Sequence, residues 1–174
     1  MISHCSGTVS AAGPTWVVLD NHGVGIKVLC PPATAASARI DQDISLQTSL
    51  VVREDSLTLY GFVEADDRDA FELVQTASGV GPKLAAAIMS VLDASQLATA
   101  ITEEDEATLC RVPGIGRKGA AKMILELKDK MATFAPRGPS TSDAAHVTAP
   151  WREQVAEGLV GLGWSAKDLS LIHI

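Results

Sequence analysis

Two short phrases in this chain carry the residue types needed to grip a phosphate. The first is Ser78-Gly79-Val80-Gly81-Pro82-Lys83, leading into Leu84-Ala85-Ala86-Ala87-Ile88-Met89. The second is Pro113-Gly114-Ile115-Gly116-Arg117-Lys118, leading into Gly119-Ala120-Ala121-Lys122-Met123-Ile124. Gly79, Gly81, Lys83, Ala85 and Ala86 recur as Gly114, Gly116, Lys118, Ala120 and Ala121, at a constant offset of 35 residues. Neither glycine of a Gly-x-Gly turn has a Cβ and both tolerate positive φ, so backbone amides can turn outward together and a ligand can come close. Those amides and the positive end of the following helix make an anion site, and a lysine or arginine just after the turn adds charge. Such a contact grips the sugar-phosphate backbone and no base edge, so the binding it gives is indifferent to sequence.

A Gly-x-Gly tripeptide alone usually closes a tight turn and nothing more. The chain contains a comparison case: Gly23-Val24-Gly25 follows Asp20-Asn21-His22 and precedes the strand-like Ile26-Lys27-Val28-Leu29, which predicts a β-hairpin turn. The other two copies have helical flanks, alanine-rich helices behind them and lysine at the same place. Arg53-Glu54-Asp55-Ser56 is a second feature, two carboxylates between strand-like segments and therefore at an exposed hairpin tip. Such a tip is ordinarily just solvated. Beside a phosphate-binding module it acquires a second use, repelling phosphates brought near it.

The elements that position these residues change character along the chain. Residues 7–9, 16–19, 25–29, 44–52 and 56–62 are rich in valine, isoleucine, leucine and threonine and are broken by turn formers, which predicts five short strands. Five strands in this length suit an OB-like barrel, with an SH3-like barrel as the alternative. From Asp66 the period becomes helical, with Phe71, Val74 and Ala77 able to share a face. Pro82 suits the first turn of a further helix, and 94–101, 105–111 and 117–131 predict three more. Residues 132–150 hold Pro136, Gly138, Pro139, Ser140, Thr141 and Ser142, the composition of a flexible linker. A helical pattern resumes over 151–164, where Val155, Leu159 and Leu162 have apolar spacing and Gly163 marks a stop. A single helix cannot bury its own apolar face, so this segment reads as part of an incomplete domain.

The expected architecture is thus α+β and multidomain: a barrel over 1–64, a helical tandem over 65–131, a linker over 132–150 and a partial helical segment over 151–174. The net charge of −7 is unlike the basic footprint of most nucleic-acid binders. Its distribution matters more, since 78–131 is neutral with seven basic against seven acidic side chains. Lys83, Arg117, Lys118 and Lys122 lie just after the glycine turns, while Glu103, Glu104, Asp105 and Glu106 lie in the connection between them. Cys5, Cys30 and Cys110 are odd in number and widely spaced, which predicts reduced thiols, and the four histidines have no metal-ligand spacing. No metal, cofactor or catalytic residue is expected. The start has no basic segment followed by an apolar stretch and no window approaches bilayer length, so a cytoplasmic protein with no membrane partner is expected.

These residues resemble the helix-hairpin-helix motif in tandem, and the wider arrangement is similar to the RuvA family, the Holliday-junction-binding subunits of the bacterial branch-migration complex. The likeness includes Val51-Val52-Arg53-Glu54-Asp55-Ser56-Leu57-Thr58-Leu59-Tyr60-Gly61-Phe62, similar to the most recognisable stretch of that family's barrel. The resemblance implies a non-catalytic subunit acting in recombination, repair and the SOS response. It implies phosphate contacts from Gly79, Gly81, Gly114 and Gly116 and from the side chains of Lys83, Arg117, Lys118 and Lys122, with Arg53 a weaker candidate. It makes Glu54 and Asp55 an acidic pin at the centre of a homotetramer, or of an octamer on the junction, that helps hold a four-way junction open. It further implies a mobile third domain contacting the RuvB hexameric ATPase, with the RuvC resolvase joining a resolving complex. Leu159-Val160-Gly161-Leu162-Gly163-Trp164 resembles the first helix and turn of that domain, making Leu159, Leu162 and Trp164 the partner-binding candidates; its remaining helices have no counterpart here. Ser3-His4-Cys5-Ser6 also lacks the basic residues often found at the family's start.

Two other readings compete. Val112-Pro113-Gly114-Ile115-Gly116-Arg117-Lys118 also resembles the hairpin of DNA glycosylases such as endonuclease III, which extract a damaged base for chemistry. The catalytic aspartate, lysine and clustered cysteines of those enzymes have no matching spacing, and Asp129 sits alone between Lys128 and Lys130. A barrel-based single-strand binder would need aromatic platforms, whereas 4% of the chain is aromatic. Trp16, Tyr60 and Phe62 are expected in the barrel core or an interface. No Gly-x-x-x-x-Gly-Lys-Ser/Thr loop occurs, so any ATP-driven motor must be a partner.

Overall fold

The computed structural model describes residues 2–133. Five strands form a closed barrel: β1 (His4–Gly13), β2 (Trp16–Asn21), β3 (Val24–Leu29), β4 (Asp43–Val52) and β5 (Leu57–Phe62), in the spatial order β1-β2-β3-β5-β4. β3 and β5 run parallel, and the other neighbours, including β1 with β4, run antiparallel. Closure removes the unpaired edges a five-stranded sheet would expose. Alternation sets the interior: Val9, Val17, Leu19, Val28, Leu46 and Leu59 point inward with Cys5 and Cys30. The Gly23 turn is the hairpin its flanks predict. Asn21 pairs with Val24, and His22 (φ 52°) and Gly23 (φ 87°) both take the positive φ a two-residue type I′ turn requires.

The structure departs from the sequence reading in two places here. β1 is ten residues long rather than three, because Ser10 accommodates a bulge between Val9 and Ala11 and the strand continues past it. A short helix α1 (Pro32–Ser37) connects β3 to β4 and contributes Ala35 to the barrel core. Its six residues carry no apolar stripe, so no periodicity announced it. Of the two places expected for Trp16, core or interface, the barrel core is not the one it takes: it is half-buried under the Lys27 ammonium, 4.6 Å from the ring centroid.

Five helices follow: α2 (Ala65–Val74), α3 (Pro82–Val91), α4 (Ala94–Thr102), α5 (Glu106–Leu109) and α6 (Arg117–Thr133). They share one core with the outer face of the barrel. Phe71 of α2 meets Tyr60 and Phe62 of β5 at ring-centroid distances of 4.8 and 5.2 Å, and Ser49 Oγ of β4 donates to Glu72 at 2.8 Å. Tyr60 and Phe62 therefore join barrel to helices. Ala77 is buried but lies past the end of α2, in the turn. α5 spans four residues rather than seven because the chain turns again at Cys110, and α6 runs two residues beyond the predicted 131. The first two residues of the linker expected over 132–150 belong to α6, and the rest of it, with the segment expected to be helical that holds Leu159, Leu162 and Trp164, lies outside the described residues.

Candidate nucleic-acid interface

The two glycine phrases form the same turn twice. Before each, Ala77 N–H donates to the Val74 carbonyl as Val112 N–H does to that of Leu109. Within each, Val80 N–H donates to the Ala77 carbonyl as Ile115 N–H does to that of Val112, both at 3.1 Å. At the helix starts, Ala85 N–H reaches the Gly81 carbonyl and Ala120 N–H that of Gly116, both at 2.9 Å. The 35-residue offset is thus a repeat of backbone hydrogen bonds as well as of letters. Val80 and Ile115, the middle residues, are 9% and 7% exposed and plug each turn into the shared core, while the four glycines face solvent.

The two glycines of each turn are there for different reasons. Gly79 and Gly114 have φ of 87° and 93°, in the left-handed region that favours glycine. Gly81 has φ of −91° and Gly116 is not left-handed either. A Cβ built on Gly81 or Gly116 meets nothing within 4 Å. Nothing in the protein's own packing excludes a side chain at these two positions, whereas a ligand drawn close to the backbone would.

The helix starts divide the same way. α4 and α5 cap themselves with carboxylates: Asp93 accepts from Gln96 N–H at 2.7 Å in a reciprocal capping box, and Asp105 accepts from Thr108 N–H at 3.0 Å. Asp67 of α2 also reaches Ala94 N–H at 2.9 Å. Burial holds the Asp67 carboxyl above its ordinary range, partly offset by that hydrogen bond. α2 itself opens with Asp66 and Asp67. By contrast α3 and α6 have no acidic residue in the first turn, and Gly81 offers α3 no side-chain cap. Cations stand there instead: Lys83, Arg117 and Lys118, all exposed and, among the described residues, without an ion-pair partner. Cations at a helix N-terminus oppose the macrodipole at a cost of roughly 0.3–1 kcal/mol each. An anion bound there reverses the sign.

The second turn is the more cationic. Proline occupies the position in α3 that Arg117 holds in α6, and Ala87 stands opposite Lys122. Lys122 Nζ lies 3.8 Å from Glu126 Oε1. The two turns are close neighbours, since a Cβ on Gly114 would lie 3.4 Å from Leu84 Cδ1 of α3. The acidic connection is partly absorbed by the fold: Glu104 (φ 58°) pairs with Lys128 of α6, whose hydrogen bond holds the Glu104 carboxyl below its usual range.

An interaction the sequence reading missed ties the two units. Glu126 of α6 accepts from Ser78 N–H at 2.6 Å and from Ser78 Oγ at 2.9 Å, and these bonds hold its carboxyl below the usual range. Ser78 and Glu126 are 48 residues apart, and no spacing rule links them.

Glu54 and Asp55 stand at the tip of the β4–β5 hairpin, which Arg53 N–H closes onto the Ser56 carbonyl at 2.9 Å. Both are exposed, and Asp55 accepts from Ser56 Oγ at 3.3 Å. Val52 and Leu57 pair across the strands at the base of the tip, 66% and 74% exposed. The tip makes no hydrogen bond or ion pair with either glycine turn among the described residues, and Arg53 extends from the same loop. Cys5 and Cys30 are buried free thiols, burial raising the Cys30 pKa to about 11, while Cys110 is only half-buried. Among the described residues no single helix is long and apolar enough to cross a membrane, and no cluster of three histidine, cysteine or acidic side chains is placed to hold a metal ion.

Comparison with known proteins matches residues 1–61 to the RuvA N terminal domain and residues 71–129 to a SAM-like helix-hairpin-helix tandem. A protein of Cutibacterium acnes described as Holliday junction branch migration complex subunit RuvA is 90% identical over 168 residues, 97% of this chain and 84% of that protein. Proteins with the same description from a Nocardioides species and from Thermobifida fusca are 51% and 49% identical, each over 97% of this chain and 84% of their own length.

Proposed function

Because the chain belongs to the RuvA family, we propose that it is a DNA-binding subunit that recognises four-way Holliday junctions, holds them open and planar, and brings the RuvB ATPase to them for branch migration. One observation carries this reading: two identical turns, each followed by a helix whose N-terminus bears cations where the neighbouring helices bear carboxylates. Each turn grips one phosphate through its amides and through Lys83 or Arg117 and Lys118, with Lys122 one helical turn further on. Because such contacts ignore base identity, discrimination comes from where phosphates are accepted and refused. Four subunits would lay their paired turns along the four arms, and eight carboxylates, two from each Glu54–Asp55 tip, would repel phosphates from the crossover. Attraction on the arms and repulsion at the centre both favour the open form.

The chain's own part is binding, without catalysis. With no ATP-binding loop in the sequence, the work of migration falls to the RuvB motor, contacted through Leu159, Leu162 and Trp164 of the 151–174 segment beyond the 132–150 linker. The barrel over 1–64 supplies the tip and the tandem over 65–131 the phosphate grip. Assembly as a tetramer, or as an octamer enclosing the junction, and entry of RuvC belong to the same proposal, as does action in the cytoplasm. The test is energy transfer between dyes on the arm ends of an immobile junction in magnesium buffer. Adding the chain should convert the two-fold pattern of the stacked form into a four-fold one, and an unchanged pattern overturns the proposal.

A further inference from the structure

We propose that Glu126 is a positioning residue for the first phosphate turn only, locking the peptide that enters Gly79. The inference rests on reading both turns as phosphate sites. Gly79 has φ of 87°, and a glycine populates both signs of φ readily, so the bond from Val80 N–H to the Ala77 carbonyl holds the turn from one side and a hold on the peptide that enters Gly79 fixes it from the other. Glu126 does this with both carboxylate oxygens, taking Ser78 N–H at 2.6 Å and Ser78 Oγ at 2.9 Å. Bonds to an ionised acceptor are the strong kind, and the two-point grip fixes orientation as well as distance. One turn further along α6, Lys130 Nζ donates to Thr76 Oγ1 at 2.8 Å, so the same helix face holds the approach to the turn at a second point.

The second turn has no such clasp. The residue matching Ser78 at the 35-residue offset is Pro113, which has neither an amide hydrogen nor a hydroxyl to offer. Proline instead restricts its own backbone, so the second turn is stiffened from within and the first from α6. Glu126 also lies 3.8 Å from Lys122, a cation of the second site. It therefore has two separable effects: it orders the first turn, and it partly neutralises a charge serving the second.

Three variants separate these effects. Glu126→Ala removes the clasp and should weaken junction binding about tenfold, the scale of one charge-assisted hydrogen bond. Glu126→Gln keeps a carbonyl acceptor for Ser78 N–H and frees Lys122, so its affinity should return to within about twofold of the parent, with a steeper salt dependence. In a Gly81→Ala background, where the first site is already blocked, Glu126→Ala should add no further loss, whereas in a Gly116→Ala background its full effect should persist. Glu126→Ala that binds within about twofold of the parent, Glu126→Gln that is as weak as the alanine variant, or equal losses in both backgrounds would each overturn the proposal. Amide hydrogen exchange without DNA reads the clasp independently of the phosphate reading: Glu126→Ala should speed exchange at 78–81 about tenfold and leave 114–116 unchanged. Faster exchange with no change in binding would leave the clasp standing and sink its role in phosphate binding, and unchanged exchange would overturn the clasp itself.

Discussion

Alanine substitution at the four hairpin glycines should split into two classes that no purely structural role predicts. At Gly79 and Gly114, with φ of 87° and 93°, an L side chain is forced into the left-handed region at about 1–2 kcal/mol. The melting temperature should fall by roughly 4–10 °C, and binding should weaken with it. At Gly81 and Gly116 the backbone is outside that region and a Cβ meets nothing within 4 Å. There alanine restricts the unfolded chain, stabilising by roughly 0.4–1 kcal/mol. It is also a poorer N-cap than glycine by a similar amount, so the net change should stay within about 0.5 kcal/mol. Binding is another matter, because a phosphate oxygen must come within about 2.9 Å of the amides and the new methyl group stands in that approach. Loss of one charge-assisted bond, about 1.5–3 kcal/mol, corresponds to a drop of roughly 10- to 150-fold in junction affinity, and loss of two to the square of that. The assay is a melting curve for each variant alongside a fluorescence-anisotropy titration with an immobile junction. Gly81→Ala and Gly116→Ala proteins that melt like the parent and bind like it would refute the reasoning, and so would a loss of binding that merely tracks a loss of stability.

Changing the tip carboxylates together, Glu54→Gln with Asp55→Asn, should keep or strengthen DNA affinity while reducing the preference for junction over linear duplex, measured by competition; an equal loss of affinity for both would count against the repulsive role. Asp67 is half-buried beside Asp93, Glu64 and Asp66, and burial raises its folded pKa above the unfolded value. Its ionised form therefore costs stability as pH rises from about 4 through that raised pKa. Asp67→Asn, which still offers a carbonyl to Ala94 N–H, should raise the melting temperature by a degree or two at pH 7 and show no gain at pH 3. Glu104, Asp105 and Glu126 have lowered pKa values, so the stability they contribute is present above the ordinary carboxylate range and is lost as pH falls through their folded values. Acid melts below pH 4 should show that loss, and a smaller loss in a Glu104→Gln variant would measure the share of the Lys128 pair.

Much of this was legible in the sequence because the signals are local. The glycine pairs, the cations behind them and the His22-Gly23 turn are each set by a few adjacent residues, and strand-forming composition between turn formers marked four of five strands closely. Interactions between distant segments were not legible. Nothing in the letters places Glu126 on Ser78, Asp67 on Ala94 N–H or Phe71 against Tyr60 and Phe62, since each depends on how packed elements meet. The helix α1 was invisible for another reason: Pro32–Ser37 is held by its place across the barrel and has no periodicity of its own. The sequence showed that all four hairpin positions are glycine, and only backbone angles and free space revealed that they are glycine for two different reasons.

The most direct measurement is affinity for an immobile four-way junction against linear duplex and single strand of equal length, across a salt series, for the parent chain and for Lys83→Ala and Lys118→Ala. A strong junction preference should appear, diminished by either substitution, with the slope of log K against log salt shallower by about 0.9 for each phosphate no longer gripped. Equal affinity for the three DNAs, or a preference indifferent to both lysines, would contradict the account.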